Sequence, residues 1–136
     1  MNGMQAKRAA VLVVEDKREM LRDICRSLQA RGYHTEGVTT GREALAELQR
    51  TEFAAVVADV GLARTHDFDL MREIQGLEGF RPWVMYTGVP DPLAPRWCGQ
   101  RGVFCVLVKG APVKDLLWSV EEACRAASWV GRARCA

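Results

Sequence analysis

The sequence lacks clustered histidines, paired cysteines and long apolar runs, and these absences argue against a zinc-binding protein, a disulfide-linked protein and a membrane-spanning protein. Its two histidines form no ligand-spaced cluster with the five cysteines, and no two cysteines have C-x-x-C spacing, which argues against a structural zinc site. The odd cysteine count, with several cysteines inside apolar patterns, predicts reduced thiols and a cytoplasmic protein. No apolar run approaches the ~18 residues of a membrane span, and residues 1–8 lack the apolar core of a signal peptide.

Net charge is also small. The 19 Lys and Arg residues nearly balance the 17 Asp and Glu residues, so nothing in the charge predicts direct binding of nucleic acid. The 136 residues, 49% of them apolar, are enough for one domain with a sizeable buried core. We place that domain at residues 9–127, between an N-terminal extension at residues 1–8 and a C-terminal tail at residues 128–136.

Short apolar runs alternate with helical patterns along the chain. A more polar run at Tyr33–Val38 predicts an edge strand, and Thr40 with Glu43 predicts a capping box before a helix. The last helix is predicted to begin near Pro112. Five alternations of strand and helix predict an α/β fold with a parallel sheet covered on both faces. Four valine-rich runs predict strands buried on both faces: Ala9–Val14, Ala54–Ala58, Trp83–Tyr86 and Val103–Val108.

Polar side chains follow four of the five predicted strands. Glu15 and Asp16 follow the first strand, Asp59 the third, Thr87 the fourth and Lys109 the fifth. Ligands of open parallel sheets bind beyond the carboxyl ends of the strands, so these side chains are expected to converge at one edge.

The chemistry of this set points to a phosphoryl group. If the first and third strands are neighbours, three carboxylates are crowded together, which either raises the pKa of one of them or recruits a cation. Oxygen ligands without histidine or thiolate favour Mg²⁺ as that cation. A lysine ammonium and a threonine hydroxyl suit phosphoryl oxygens. Asp59 can act as the nucleophile, because carboxylates form acyl phosphates in known enzymes.

Each of these residues also has a structural explanation when it is taken singly. Asp16 could cap the first helix together with Glu19, and Asp59 could simply begin a loop. Thr87 could belong to an ordinary turn, and Lys109 could be a solvated surface lysine. The functional interpretation depends on the joint pattern.

That pattern resembles the receiver domain of bacterial two-component response regulators. The matching pieces are V-L-V-V-E-D, V-V-A-D-V-G-L, V-M-Y-T-G and V-L-V-K, in that order and at fitting spacings, within a similarity that runs from about residue 9 to residue 127. The resemblance implies a flavodoxin-like, doubly wound five-stranded parallel sheet of order 2-1-3-4-5, with helices on both faces.

The resemblance also implies roles for individual residues. Asp59 would accept the phosphoryl group, and Thr87 and Lys109 would hold the acyl phosphate. Mg²⁺ would be bound by Asp16, Asp59 and the backbone carbonyl of Gly61, with Glu15 acting mainly through water. The donor would be a phosphohistidine on a sensor histidine kinase or a histidine phosphotransfer protein. We expect a stand-alone signalling domain rather than an enzyme. This domain would act on a downstream protein that the sequence does not identify. Both a monomer and a homodimer are compatible with the sequence.

Two departures from the family pattern keep a second function open. Gly110 stands where the family usually has proline, and Val106 stands where it usually has an aromatic switch residue. The alternative is therefore a pseudo-receiver, a binding module of the same fold that is never phosphorylated. A flavin-binding protein is disfavoured, because the loop after the first strand carries two acids, Glu15 and Asp16, and lacks the glycine or serine that a phosphate loop needs.

Overall fold

The computed structural model describes residues 9–63, 69–73, 82–88 and 103–135. These residues form five strands and five helices in chain order: β1 (Ala10–Val14), α1 (Arg18–Ala30), β2 (His34–Val38), α2 (Gly41–Arg50), β3 (Ala55–Asp59), α3 (Val60–Ala63), α4 (Leu70–Glu73), β4 (Trp83–Thr87), β5 (Val103–Val108) and α5 (Val113–Cys135). The N-terminal extension that we predict at residues 1–8 lies outside the described residues.

The strands form one parallel sheet in the order β2-β1-β3-β4-β5. This order confirms the predicted doubly wound α/β fold. The register pairs Val14 of β1 with Ala58 of β3, so the residues that follow β1 lie beside the carboxyl end of β3. β2 is an edge strand, as predicted, and most of its side chains are exposed.

Alternate side chains of the sheet pack on two different helical layers. Val11, Val13 and Val57 face one layer, in which Ile24 and Leu28 of α1 and Val120 of α5 are buried. The intervening side chains face the opposite layer and pack with residues of α2 and α4, in a cluster that contains Leu12, Val14, Ala44, Leu48, Val56, Ala58 and Leu70. Burial of both faces explains why the central strands are almost entirely apolar.

The helix boundaries agree in part with the sequence pattern. The capping box is confirmed, because the Thr40 hydroxyl oxygen accepts a hydrogen bond from the Glu43 backbone N–H at 3.1 Å. The alternative in which Asp16 caps α1 is wrong, because the N-cap residue of α1 is Lys17 and no side chain there caps the helix. The sequence pattern does not predict the short helix α3. Helix α5 continues through Cys135, past residue 127, where we place the end of the domain.

Within the described part of the chain, none of the helices has the length and apolar character needed to cross a bilayer.

Replacing Thr40 by alanine tests the start of α2. The change removes the hydroxyl that accepts from the Glu43 N–H, and we expect the free energy of unfolding to fall by about 1 kcal/mol in urea titrations. Thr51, at the other end of the same helix, is a matched control: its backbone N–H caps the helix, so Thr51→Ala should change stability by less than about 0.5 kcal/mol. Equal losses in the two variants would contradict the assignment.

Candidate functional site

The carboxyl ends of β1, β3 and β5 bring together two acids and a lysine. Lys109 follows β5 and reaches past β4, so that its Nζ donates a hydrogen bond to Asp59 Oδ2 at 2.5 Å. The same Nζ lies 3.6 Å from Glu15 Oε1. The predicted convergence of Glu15, Asp59 and Lys109 is therefore present in the structure.

Asp59 is held from two sides. Its Oδ1 accepts a hydrogen bond from the Gly61 backbone N–H at 2.8 Å, because α3 begins directly after β3 and presents its first free N–H groups to the strand end. Its Oδ2 accepts from Lys109, and 17% of the Asp59 side chain remains exposed. The carboxylate is thus oriented by protein donors while it is still open to solvent.

Glu15 is the only charged side chain in the described structure that is completely buried, at 0% exposure. Its Oε2 accepts from the Lys17 backbone N–H at 2.9 Å, and its Oε1 accepts from the Tyr86 hydroxyl at 2.7 Å. Burial acts to raise the pKa of Glu15, but these hydrogen bonds and the charge of Lys109 outweigh burial and hold the pKa below its ordinary value. Glu15 is therefore kept as an anion.

Lys109 and Tyr86 respond to the same charges. Burial acts to lower the pKa of Lys109, but its hydrogen bond with Asp59 and the charges of Asp59 and Glu15 raise the pKa overall. The pKa of Tyr86 is raised by burial first and then by its hydrogen bond to Glu15. At neutral pH the site therefore contains a protonated lysine and a protonated tyrosine against an ionised Glu15.

Asp16 lies beside this group and is exposed to solvent. Its pKa is raised, first by a hydrogen bond with the Glu15 carboxylate and then by slight burial and the negative charges of Glu15 and Asp59. The charges of Glu15 and Asp59 therefore disfavour the ionised form of Asp16. A cation at this edge would relieve the repulsion.

The donor set fits Mg²⁺ through two carboxylates rather than three. No group of three or more His, Cys, Asp or Glu side chains in the described part of the chain is arranged to hold a metal ion. Glu15 is completely buried and both of its oxygens accept from protein donors, which leaves the exposed Asp16 and the partly exposed Asp59 open to an ion. Mg²⁺ commonly binds through one or two carboxylates and completes its shell with water, so the residues present fit the ion.

Thr87 ends β4, where its backbone pairs in register with Val108 of β5. This position puts Thr87 at the predicted edge of the sheet. Its side chain lies outside the described structure, so the role of its hydroxyl stays a prediction. The backbone carbonyl of Gly61 as a metal ligand also stays a prediction.

A glycine turn presents Lys109. The Ala111 backbone N–H donates to the Val108 carbonyl at 3.1 Å, and Gly110 between them has φ of 99°. A side chain at Gly110 would meet no atom within 4 Å, so backbone strain rather than space requires glycine there. The turn explains why glycine follows Lys109 in this chain, at the position where the family usually has proline.

Tyr86 is a member of this cluster that sequence reasoning missed, since its hydroxyl donates to Glu15 and Lys109 lies over its ring. It lies in the apolar run before Thr87, where an aromatic residue looks like part of the core. The signal in the sequence was its position directly before Thr87, near the carboxyl end of the run; in the structure Tyr86 pairs with Asp59 across the strands.

The fold and the site define a doubly wound α/β domain with an acidic, lysine-containing site at the carboxyl edge of its sheet. The family model of the response regulator receiver domain matches residues 11–121. The chain belongs to this family, which confirms the resemblance seen in the sequence.

Known relatives agree with the family. The chain is 28% identical over 123 residues to the transcriptional regulatory protein GlrR of Escherichia coli (strain K12) and, equally, to QseF of Escherichia coli O157:H7; each match covers 88% of this chain and 27% of the relative. The chain thus spans about a quarter of the length of these relatives.

Solved structures agree with the fold. The chemotaxis response regulator CheY4 of Vibrio cholerae is 27% identical with a TM-score of 0.76, over 86% of this chain and 99% of that one. A CheY-like receiver domain protein of Methanospirillum hungatei JF-1 has a TM-score of 0.81 over 90% of this chain and 98% of that one. Its identity is 21%, so this second likeness supports the fold alone.

Substitution of Gly110 tests the turn. Gly110→Ala forces a Cβ into a left-handed conformation, so the free energy of unfolding should fall by about 1–2 kcal/mol in urea titrations. Gly88→Ala is the control, because Gly88 has no positive φ and an added Cβ would make an ordinary 3.7 Å contact with Lys109 Cδ. A Gly110→Ala variant as stable as Gly88→Ala would show that the turn does not need glycine.

Proposed function

We propose that this receiver domain accepts a phosphoryl group on Asp59 from a phosphohistidine partner, in a reaction that needs Mg²⁺. The proposal rests on the hydrogen bonds, the solvent exposure and the neighbouring charges of the Asp59 carboxylate. The carboxylate is oriented by Lys109 and by the Gly61 N–H, is still partly exposed, and lies beside a second exposed carboxylate, Asp16. A residue with only a structural role at a strand end does not require this arrangement.

In the proposed reaction, an oxygen of Asp59 forms a bond to phosphorus while the N–P bond of the phosphohistidine breaks. The electron pair of that bond stays on the leaving imidazole nitrogen. Lys109 supplies a positive charge that is already in place beside Asp59, so it stabilises negative charge on the phosphoryl oxygens without reorganisation. The hydroxyl of Thr87 is proposed as a further donor to these oxygens.

Asp16, Asp59 and the carbonyl of Gly61 are proposed to hold Mg²⁺, with Glu15 acting through water. Bound Mg²⁺ would neutralise part of the charge on the carboxylates and the phosphoryl group.

The proposed partners are a sensor histidine kinase or a histidine phosphotransfer protein upstream and a protein target downstream. The domain promotes its own phosphorylation but acts as a signalling module rather than an enzyme, with its output carried by protein contacts. A cytoplasmic location is proposed, supported by the reduced thiols of Cys25 and Cys105. The relatives GlrR and QseF are named transcriptional regulatory proteins. By this similarity, the downstream response of the present chain is also proposed to be transcriptional.

Phosphorylation by acetyl phosphate tests the acceptor. Intact mass should rise by one phosphoryl group when Mg²⁺ is present, and the increase should disappear in Asp59→Asn. Asp115→Asn is the matched control, since Asp115 is an exposed aspartate at the start of α5 and should leave the reaction unchanged. If the wild-type chain gains no mass, the pseudo-receiver alternative is favoured; if Asp59→Asn is still phosphorylated, the acceptor is a different residue.

Mg²⁺ should also stabilise the fold. A ligand that binds only the folded state adds about 1.4 kcal/mol to the free energy of unfolding at roughly ten times its Kd. We expect this gain in urea titrations of the wild type with Mg²⁺ against chelator. Asp16→Asn should lose most of the gain, whereas Glu52→Gln should keep it, because Glu52 is exposed before the amino end of β3. Equal gains in both variants would place the ion elsewhere.

A further inference from the structure

Tyr86 contacts two members of the site and has no role in the reaction described above. Its side chain is 5% exposed, its hydroxyl donates to Glu15 Oε1 at 2.7 Å, and the Lys109 Nζ lies 5.2 Å from the centre of its ring. The ammonium over the ring is within the range of a cation–π contact. One side chain therefore touches both the buried carboxylate and the lysine that binds Asp59.

The hydroxyl determines which donor Glu15 Oε1 uses. Glu15 is fully buried, and its other oxygen is bonded to the Lys17 N–H. Lys109 Nζ also lies near Oε1, at 3.6 Å, which is beyond normal hydrogen-bond length. A buried carboxylate oxygen without a donor is costly, so loss of the hydroxyl would draw Lys109 toward Glu15 and away from Asp59.

Packing alone does not explain a tyrosine at this position. Val84, two residues earlier on the same face of β4, is equally buried in the cluster that contains Val13, Val57 and Val120. Phenylalanine would fill the same space as Tyr86 and would keep the ring under Lys109. What tyrosine adds is one hydroxyl, and that hydroxyl is used on Glu15.

We infer that Tyr86 is a positioning residue for the phosphoryl-acceptor site: its hydroxyl fixes Glu15, so that Lys109 stays on Asp59. This inference rests on the proposed function, since it assigns Tyr86 an effect on the proposed Mg²⁺ site. Tyr86 acts through Glu15 and contacts neither the ion nor the reacting atoms.

The affinity of the chain for Mg²⁺ tests the inference. In titration calorimetry with Mg²⁺ alone, Tyr86→Phe should raise the Kd about 10-fold, the lower end of what loss of an outer-shell partner costs. Tyr33→Phe is the matched control: it removes a hydroxyl from the chain's other tyrosine, which is 6% exposed and lies at the opposite end of the sheet, beside Ala9. Its Kd should equal that of the wild type.

A merely structural role gives a different result. Urea unfolding in chelator would then show a lower midpoint for Tyr86→Phe, while its Kd for Mg²⁺ stayed within about 2-fold of the wild-type value, as expected for an ion site independent of the substitution. An unchanged Kd, or tighter binding, overturns the inference.

A second measurement needs no substitution at Tyr86. With 3-fluorotyrosine in place of both tyrosines, the ¹⁹F spectrum should contain two resonances, which Tyr33→Phe assigns. Saturation with Mg²⁺ should shift the resonance of residue 86 and leave that of residue 33 in place. Two unmoved resonances overturn the inference even if Tyr86→Phe fails to fold.

The outcomes separate this inference from the proposed function. A wild-type chain that is phosphorylated on Asp59 and binds Mg²⁺, but whose Tyr86→Phe variant binds the ion equally well, refutes only the role of Tyr86. A wild-type chain that does neither refutes the proposed function and the inference together.

Discussion

The contact of one lysine with two carboxylates is the interaction on which the site depends. Lys109 Nζ lies between Asp59 Oδ2 and Glu15 Oε1, and these three residues come from β5, β3 and β1. The contact needs parallel strands whose carboxyl ends meet at one edge, with β1 next to β3. It also needs a turn that aims the lysine back across β4, and Gly110 supplies that turn. Strand order, register and turn geometry therefore act together at a single ammonium group.

The buried Glu15 is the unfavourable element that the surrounding structure offsets. A carboxylate without solvent is costly unless hydrogen-bond donors surround it, and Glu15 has a backbone N–H, a tyrosine hydroxyl and the lysine ammonium. Because these donors keep Glu15 ionised, its carboxylate raises the pKa of Asp16 at the surface, first by accepting a hydrogen bond from the protonated form of Asp16 and then through its negative charge. This is the edge at which we propose that Mg²⁺ binds, through the two carboxylates that are open to solvent, Asp16 and Asp59.

Much of this arrangement follows from patterns of single residues. Valine-rich runs predicted the strands, the capping box predicted the start of α2, and acids at strand ends predicted the cluster. Other features could not be predicted, because they depend on contacts distant in sequence. Glu15 and Asp16 are adjacent acids with similar chemistry, yet one is buried and bonded while the other is exposed. Tyr86 looked like a core aromatic, since nothing local shows that its hydroxyl meets a residue 71 positions earlier.

The sequence by itself determined the alternation of strands and helices, the buried faces and the identity of the polar residues at the strand ends. These features depend on local propensity and on hydrophobic periodicity, which are properties of neighbouring residues. Tertiary structure alone decided which carboxylate is buried, which donor each oxygen uses and how Lys109 is shared, because a hydrogen bond depends on distances of a few tenths of an ångström between strands. Periodicity can place a side chain at an edge, but only the folded sheet selects its partner.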